Sequence, residues 1–158
     1  MILVGLGSPF GDDQVGWRVA QALEDMLQGS ADAEPVRVLC LDRPGPALLD
    51  AIAGRDEAIL VDATADGSPP GTVHQVAAET VMAEPRSSSS HGLGPGHALQ
   101  LGHALGILPP RLSIYLVSID PSHTGHPDGA DLTPPVAAAV LPLAQEILGA
   151  ARGKRRAP

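Results

Sequence analysis

Short apolar runs that alternate with stretches of helical period constrain this chain more than any other feature of its sequence. Ile2-Leu3-Val4-Gly5-Leu6 forms the first run, and Val15, Val19, Leu23 and Met26 then recur at helix spacing, with Gly29 beyond them as a stop signal. Val36-Arg37-Val38-Leu39-Cys40-Leu41 reads as a second strand, and Pro44-Gly45-Pro46 introduces a short helix carrying Leu48 and Leu49. Ala58-Ile59-Leu60-Val61 is a third strand, expected to end at Asp62. This alternation is the signature of βαβ units, hence of an α/β domain with a mostly parallel sheet covered by helices.

The second half continues the pattern less regularly. Gly71 to Val76 predicts an additional, antiparallel edge strand, and the polar stretch from Pro85 through Ser87 to Ser90 predicts a loop. Ala98, Leu101 and Leu105 mark a helix, and Leu112 to Val117 is the last strong strand. A segment rich in Gly, Pro, His and Asp, from Asp120 to Asp131, leads to a final helix with Thr133 as N-cap and Pro134 at its first position. Val136, Val140, Leu143 and Ile147 form its apolar stripe, and Pro142 inside it predicts a kink. One domain over residues 1–150 is expected, followed by a basic, disordered tail over 151–158 that contains Lys154-Arg155-Arg156. No internal repeat and no second-domain boundary is visible.

Charge and composition exclude several functions. Asp and Glu outnumber Lys and Arg by 18 to 10, giving a net charge of -8, the wrong sign for a phosphate-neutralising surface. Trp17, Tyr115 and Phe10 are the only aromatic residues, too few for a base-stacking platform. No nucleic-acid partner is therefore expected. Cys40 is the only cysteine, so no disulfide can form within the chain; a buried, inert thiol in a reducing, cytoplasmic setting is expected. No basic leader precedes the first apolar run, and no run approaches the roughly 20 residues of a membrane helix, so neither a signal peptide nor a membrane partner is expected.

Three polar landmarks stand where an open parallel sheet gathers ligands, beyond the carboxyl ends of its strands. They are Gly11-Asp12-Asp13 after the first strand, Asp62 after the third, and Ser90-His91-Gly92 before the third helix. Asp13, Asp62 and His91 are thereby candidates to meet. Two carboxylates and an imidazole suit a borderline ion such as zinc or nickel, with positions left for water or a substrate group. The bland alternatives are that Asp13 caps the first helix, that Asp62 stabilises a turn, and that His91 is an ordinary loop histidine. Gly5-Leu6-Gly7-Ser8-Pro9-Phe10-Gly11 superficially suggests a dinucleotide loop, but Phe10 stands where the third glycine belongs and Asp12-Asp13 would face the phosphates. Gly-x-Ser-x-Gly and His-Glu-x-x-His are both absent from the sequence.

The residues from Gly5 to Gly16, with Leu60-Val61-Asp62-Ala63 and Ser90-His91-Gly92-Leu93, resemble in order and spacing the signatures of the [NiFe] hydrogenase maturation endopeptidases. The resemblance implies a twisted five-stranded sheet between helices. It also implies an activity, removal of a C-terminal extension from the nickel-loaded large-subunit precursor, which would be the partner of an otherwise monomeric enzyme. Nickel would arrive with the substrate and be recognised by Asp13, Asp62 and His91, with no permanent cofactor. Catalysis would run through the metal or through a carboxylate base, which leaves Asp13, Asp62 and Asp42 as catalytic candidates. Two features depart from the family pattern. Ser8 replaces an Asn, and Asp42-Arg43-Pro44-Gly45 replaces Asp-Gly-Gly-Thr beside the cleft. A hydrolase with its own zinc at the same residues, and a non-catalytic metal- or nucleotide-binding module, are the alternatives from other classes.

Overall fold

The computed structural model describes residues 1–28, 36–83, 94–123 and 131–153. The first apolar run becomes β1 (Ile2–Gly7), every residue of which is buried, because it occupies an inner position with helices on both faces. It pairs in parallel with β2 (Arg37–Asp42) on one side and β3 (Glu57–Thr64) on the other, with Val4 opposite Leu39 and Leu60. β5 (Arg111–Ser118) lies parallel to β3, and the short β4 (Val73–Val76) runs antiparallel along β5. The resulting order is β2-β1-β3-β5-β4, one five-stranded mixed sheet, as the sequence pattern and the family resemblance imply.

Helices close both faces. α1 (Val15–Gln28) and α5 (Pro134–Gly153) cover one side, where Val15, Val19, Leu23, Val136, Leu143 and Ile147 pack on Leu3, Ile59, Val61 and Val117. α2 (Pro46–Ile52) and α4 (Pro95–Ala104) cover the other, where Leu48, Ile52, Ala98 and Leu99 meet Ile2, Val4, Leu6 and Leu60. A short α3 (Ala78–Ala83), which the periodicity does not reveal, adds only partly buried Val81 and Met82 to this layer. Alternate strand residues thus feed opposite cores, as the period-two geometry of a strand requires.

Four expectations need correcting. β3 does not stop at Asp62 but runs to Thr64, because its pairing with β5 continues to Thr64 opposite Ser118. Cys40 is exposed, not buried, because β2 is an outer strand whose residues are at most half-buried. α5 holds Pro142 within one continuous helix, which leaves the expected kink untouched. Pro142 and Ala138 are both exposed, so the carbonyl that loses its donor four residues back faces solvent. By length and composition α5 also matches a membrane span over Pro134–Ala151, with mean hydropathy 1.3, although its Leu143, Ala144 and Ile147 stripe is buried in the core described above. The same helix extends to Gly153, into the stretch expected as a tail, of which residues 154–158 lie outside the described part.

Candidate functional site

Glycines let the first loop settle onto the strand ends. A side chain at Gly16 would collide with the carbonyl oxygens of Leu6 and Val61, and one at Gly5 with the carbonyl of Gly16. The start of α1 therefore sits directly on β1 and β3, closer than any Cβ permits. Two residues further along β1, Gly7 lies against the Asp13 backbone in the same way. These contacts hold the 3₁₀ turn Gly11–Gln14 over the carboxyl ends of the two central strands.

The two acidic residues of that turn divide in role. Asp12 is fully buried, and its carboxylate accepts from the Thr133 backbone N–H at 2.6 Å and from Thr133 Oγ1 at 2.8 Å. It clamps the start of α5, where Thr133 O receives the Ala137 N–H. The sequence assigns Thr133 to the helix start correctly, but nothing local reveals that a residue 121 positions away satisfies it. Asp13, by contrast, is half-exposed, and no side-chain capping bond marks the turn it occupies.

Asp62 projects from the carboxyl-terminal half of β3, half-buried, with its Oδ1 accepting from the Ala63 N–H at 2.9 Å. By alternation it shares the sheet face of Leu60, the face covered by α2 and α4. α4 ends just before β5 begins, so its N-terminus points toward the same carboxyl edge. His91 belongs to the segment leading into that helix and lies outside the described residues. Among the described residues, no three His, Cys, Asp or Glu side chains form a metal-sized group. Asp13 and Asp62 thus share one rim of the sheet, while the third member of the expected set falls beyond the described part.

Asp42 is placed differently. It ends β2 opposite Gly7, and by alternation it shares the face of Val38 and Cys40, opposite to that of Asp62. Arg43 grips its carboxylate through Nε at 2.8 Å and Nη2 at 3.3 Å. That bond holds the Asp42 carboxyl below the usual range. The Arg43 guanidinium is raised in turn, first by Asp42 and to a lesser extent by Asp13, so Asp13 lies within its electrostatic reach. Arg43 adopts φ 43°, a left-handed conformation that disfavours any residue with a Cβ and marks this loop as constrained.

A second polar cluster escaped the sequence reading. His74, in the edge strand β4, brings Nε2 within 3.1 Å of Ser118 Oγ and 3.2 Å of Asp66 Oδ2. Ser118 Oγ donates to Asp66 Oδ1 at 2.9 Å, and Ser118 is fully buried. The three residues fasten the β3–β4 connection to the end of β5. Their types are spread over 53 positions with no common spacing, so no linear signal unites them. Asp120 makes its bonds locally, accepting from the Ser122 N–H and hydroxyl.

Fold and rim together define the class, an open α/β protein whose carboxyl edge carries half-exposed aspartates fixed by glycine-mediated contacts. Within that class the family is clear: the model of hydrogenase maturation proteases (HycI) matches residues 18–150, and the chain belongs to that family. The hydrogenase maturating endopeptidase HybD from E. coli is 28% identical, over 97% of this chain and 92% of that one, with a TM-score of 0.77. An endopeptidase from Escherichia coli studied in solution is 29% identical, over 98% and 94%, with a TM-score of 0.74. The [NiFe] hydrogenase maturation protease HycI from Thermococcus kodakarensis, at 20% identity over 92% and 88% with a TM-score of 0.67, shares the fold. No curated protein matches the chain by sequence.

Proposed function

We propose that this protease removes the C-terminal extension of a [NiFe] hydrogenase large-subunit precursor after nickel insertion, and that Asp13, Asp62 and His91 complete the coordination of the nickel that the substrate carries. The observation that supports this reading most is the common rim of Asp13 and Asp62, reached from adjacent strands and next to the helix that His91 precedes. Carboxylate and imidazole donors suit divalent nickel, and an incomplete protein set leaves room for the ligands the substrate brings.

Docked in this way, the ion would hold the scissile peptide at the rim, polarising its carbonyl or lowering the pKa of an attacking water. Asp62 is the better candidate for a carboxylate base. Asp42 is held by Arg43 and has a lowered pKa, both of which weaken it as a proton acceptor near neutrality. The exposed, unpaired Cys40 suits a reducing, cytoplasmic workplace.

Mass measurement on nickel-loaded and nickel-free precursor incubated with the protein tests the proposal. Tail loss is expected from the loaded precursor alone; equal loss from both would refute nickel recognition. Asp62→Ala and His91→Ala should each lower cleavage by at least about 100-fold with an unchanged circular dichroism spectrum.

A further inference from the structure

β2 is the outer strand of its side of the sheet and, among the described residues, pairs with β1 alone. The Arg37 N–H bonds Met1 O and the Arg43 N–H bonds Gly7 O, each at 3.2 Å. Main-chain direction in a parallel ladder repeats every second residue, so positions 37, 39, 41 and 43 face β1. Val38, Cys40 and Asp42 consequently turn their N–H and C=O groups toward the open side. Between its charged ends, Arg37 and Asp42, the edge has no proline, charge or bulge to blunt it.

This edge also has a wall. Trp17 of α1 stands beside it, its indole Nε1 donating to Leu41 O at 3.1 Å. Trp17, Gln21, Glu24, Val38, Leu39 and Cys40 line an open groove of about 390 Å³. Val38 and Cys40 come from one face of the strand and Leu39 from the other, so the groove straddles the edge. Beyond the groove the strand ends at Asp42, and the guanidinium of the next residue, Arg43, lies within reach of the Asp13 charge. A strand edge open beside a groove, and ending close to the rim, is what an extended polypeptide needs in order to bind by strand addition.

We infer that the β2 edge and the Trp17 groove receive the extended substrate chain flanking the scissile bond, as an added strand that feeds it into the Asp13–Asp62 rim. The inference rests on the protease reading above and gives the substrate its docking surface. The occupant is the precursor's own chain because the open edge ends at Arg43, within reach of Asp13 in the candidate site, a proximity that a second copy of this protein would not need.

Two measurements with nickel-loaded precursor decide the matter. In the first, single prolines are walked through the eight residues on either side of the scissile bond, nickel content being checked for each variant. Proline deletes one N–H, so KM should rise roughly three- to tenfold at every second position and change less than about twofold between them, with kcat retained. In the second, the protein is alkylated at Cys40, its only cysteine, with N-ethylmaleimide. KM should rise at least about fivefold, whereas the same treatment of a Cys40→Ser variant should change nothing. The thiol is raised by partial burial and then by Glu24, so alkylation is run at pH 8.5 and followed by mass.

Both results are required. Alternation without an alkylation effect would move the added strand to another edge, and an alkylation effect without alternation would rule out strand addition; each overturns the inference and leaves the protease intact. A dimer that dissociates on Cys40 alkylation would assign the edge to a second copy and overturn it as well. If the untreated protein fails to cleave the loaded precursor, the protease reading itself falls, and the docking surface with it.

Discussion

At the residue scale, neighbouring aspartates with the same chemistry do different work. Asp12 is sealed inside and satisfies two donors of Thr133, while Asp13 stays half-exposed at the rim. Asp12→Ala would strand the partly buried N–H and hydroxyl of Thr133 and remove the start of α5 from its clamp. The expected cost is about 2–3 kcal/mol, seen as a fall of roughly 5–10 °C in melting temperature. Asp13→Ala should shift the melting temperature by less than about 2 °C while removing cleavage, since exposed side chains rarely contribute more than about 0.5 kcal/mol. Thermal scans of the two variants beside their cleavage rates would separate clamp from site. The acidic pair was plain in the sequence, but the division of labour was not. Which member turns inward depends on a threonine near the other end of the chain, and no spacing rule reaches that far.

At the scale of elements, the sequence was most readable where burial is symmetrical. β1, β3 and β5 are inner strands, and their apolar runs announce them. β2 carries a similar run, Val38-Leu39-Cys40-Leu41, yet lies at an edge, which is why its cysteine is exposed although the run suggests otherwise. Strand composition reports what covers the faces and says little about whether a neighbour lies alongside. Asp62 illustrates the same limit, since a charged residue reads as the end of a strand, whereas pairing with Leu116 carries the strand past it. The packing of α1 on β1 and β3 offers a sharp test. Gly16→Ala would drive a methyl group into two backbone carbonyls that cannot turn aside, so a loss of at least about 3 kcal/mol is expected in urea unfolding. An effect under about 1 kcal/mol would show that α1 can shift away from the sheet.

At the scale of the whole molecule, carboxylates set the response to acid. Asp42 is lowered chiefly by its bond to Arg43, Asp66 by the Ser68 N–H, and Asp120 by the Ser122 N–H. Each folded-state pKa lies below the unfolded value of about 3.9, so the stability each adds is present above that value. It is lost as the pH falls through the folded pKa. Melting temperature should therefore hold from about pH 7 to 5 and decline below about pH 4, a trend that scans across this range would reveal. Because the groups are exposed, each contribution is small and the decline gradual. At this scale the fold class and the family signatures were legible from the chain alone. Where His91 stands relative to the two aspartates was not, because the stretch around it carries no periodicity from which to infer a position.

The bond between Asp12 and Thr133 also orders events in time. It joins the first loop of the chain to the start of its last helix, a separation of 121 residues. As the protein leaves the ribosome, the turn bearing Asp13 is made first but must wait, unanchored, until nearly all the remaining sequence has emerged. Such a distant closure is entropically costly to form early, so this corner should assemble late. A nascent chain halted before residue 133 would carry its acidic turn without the partner that fixes it.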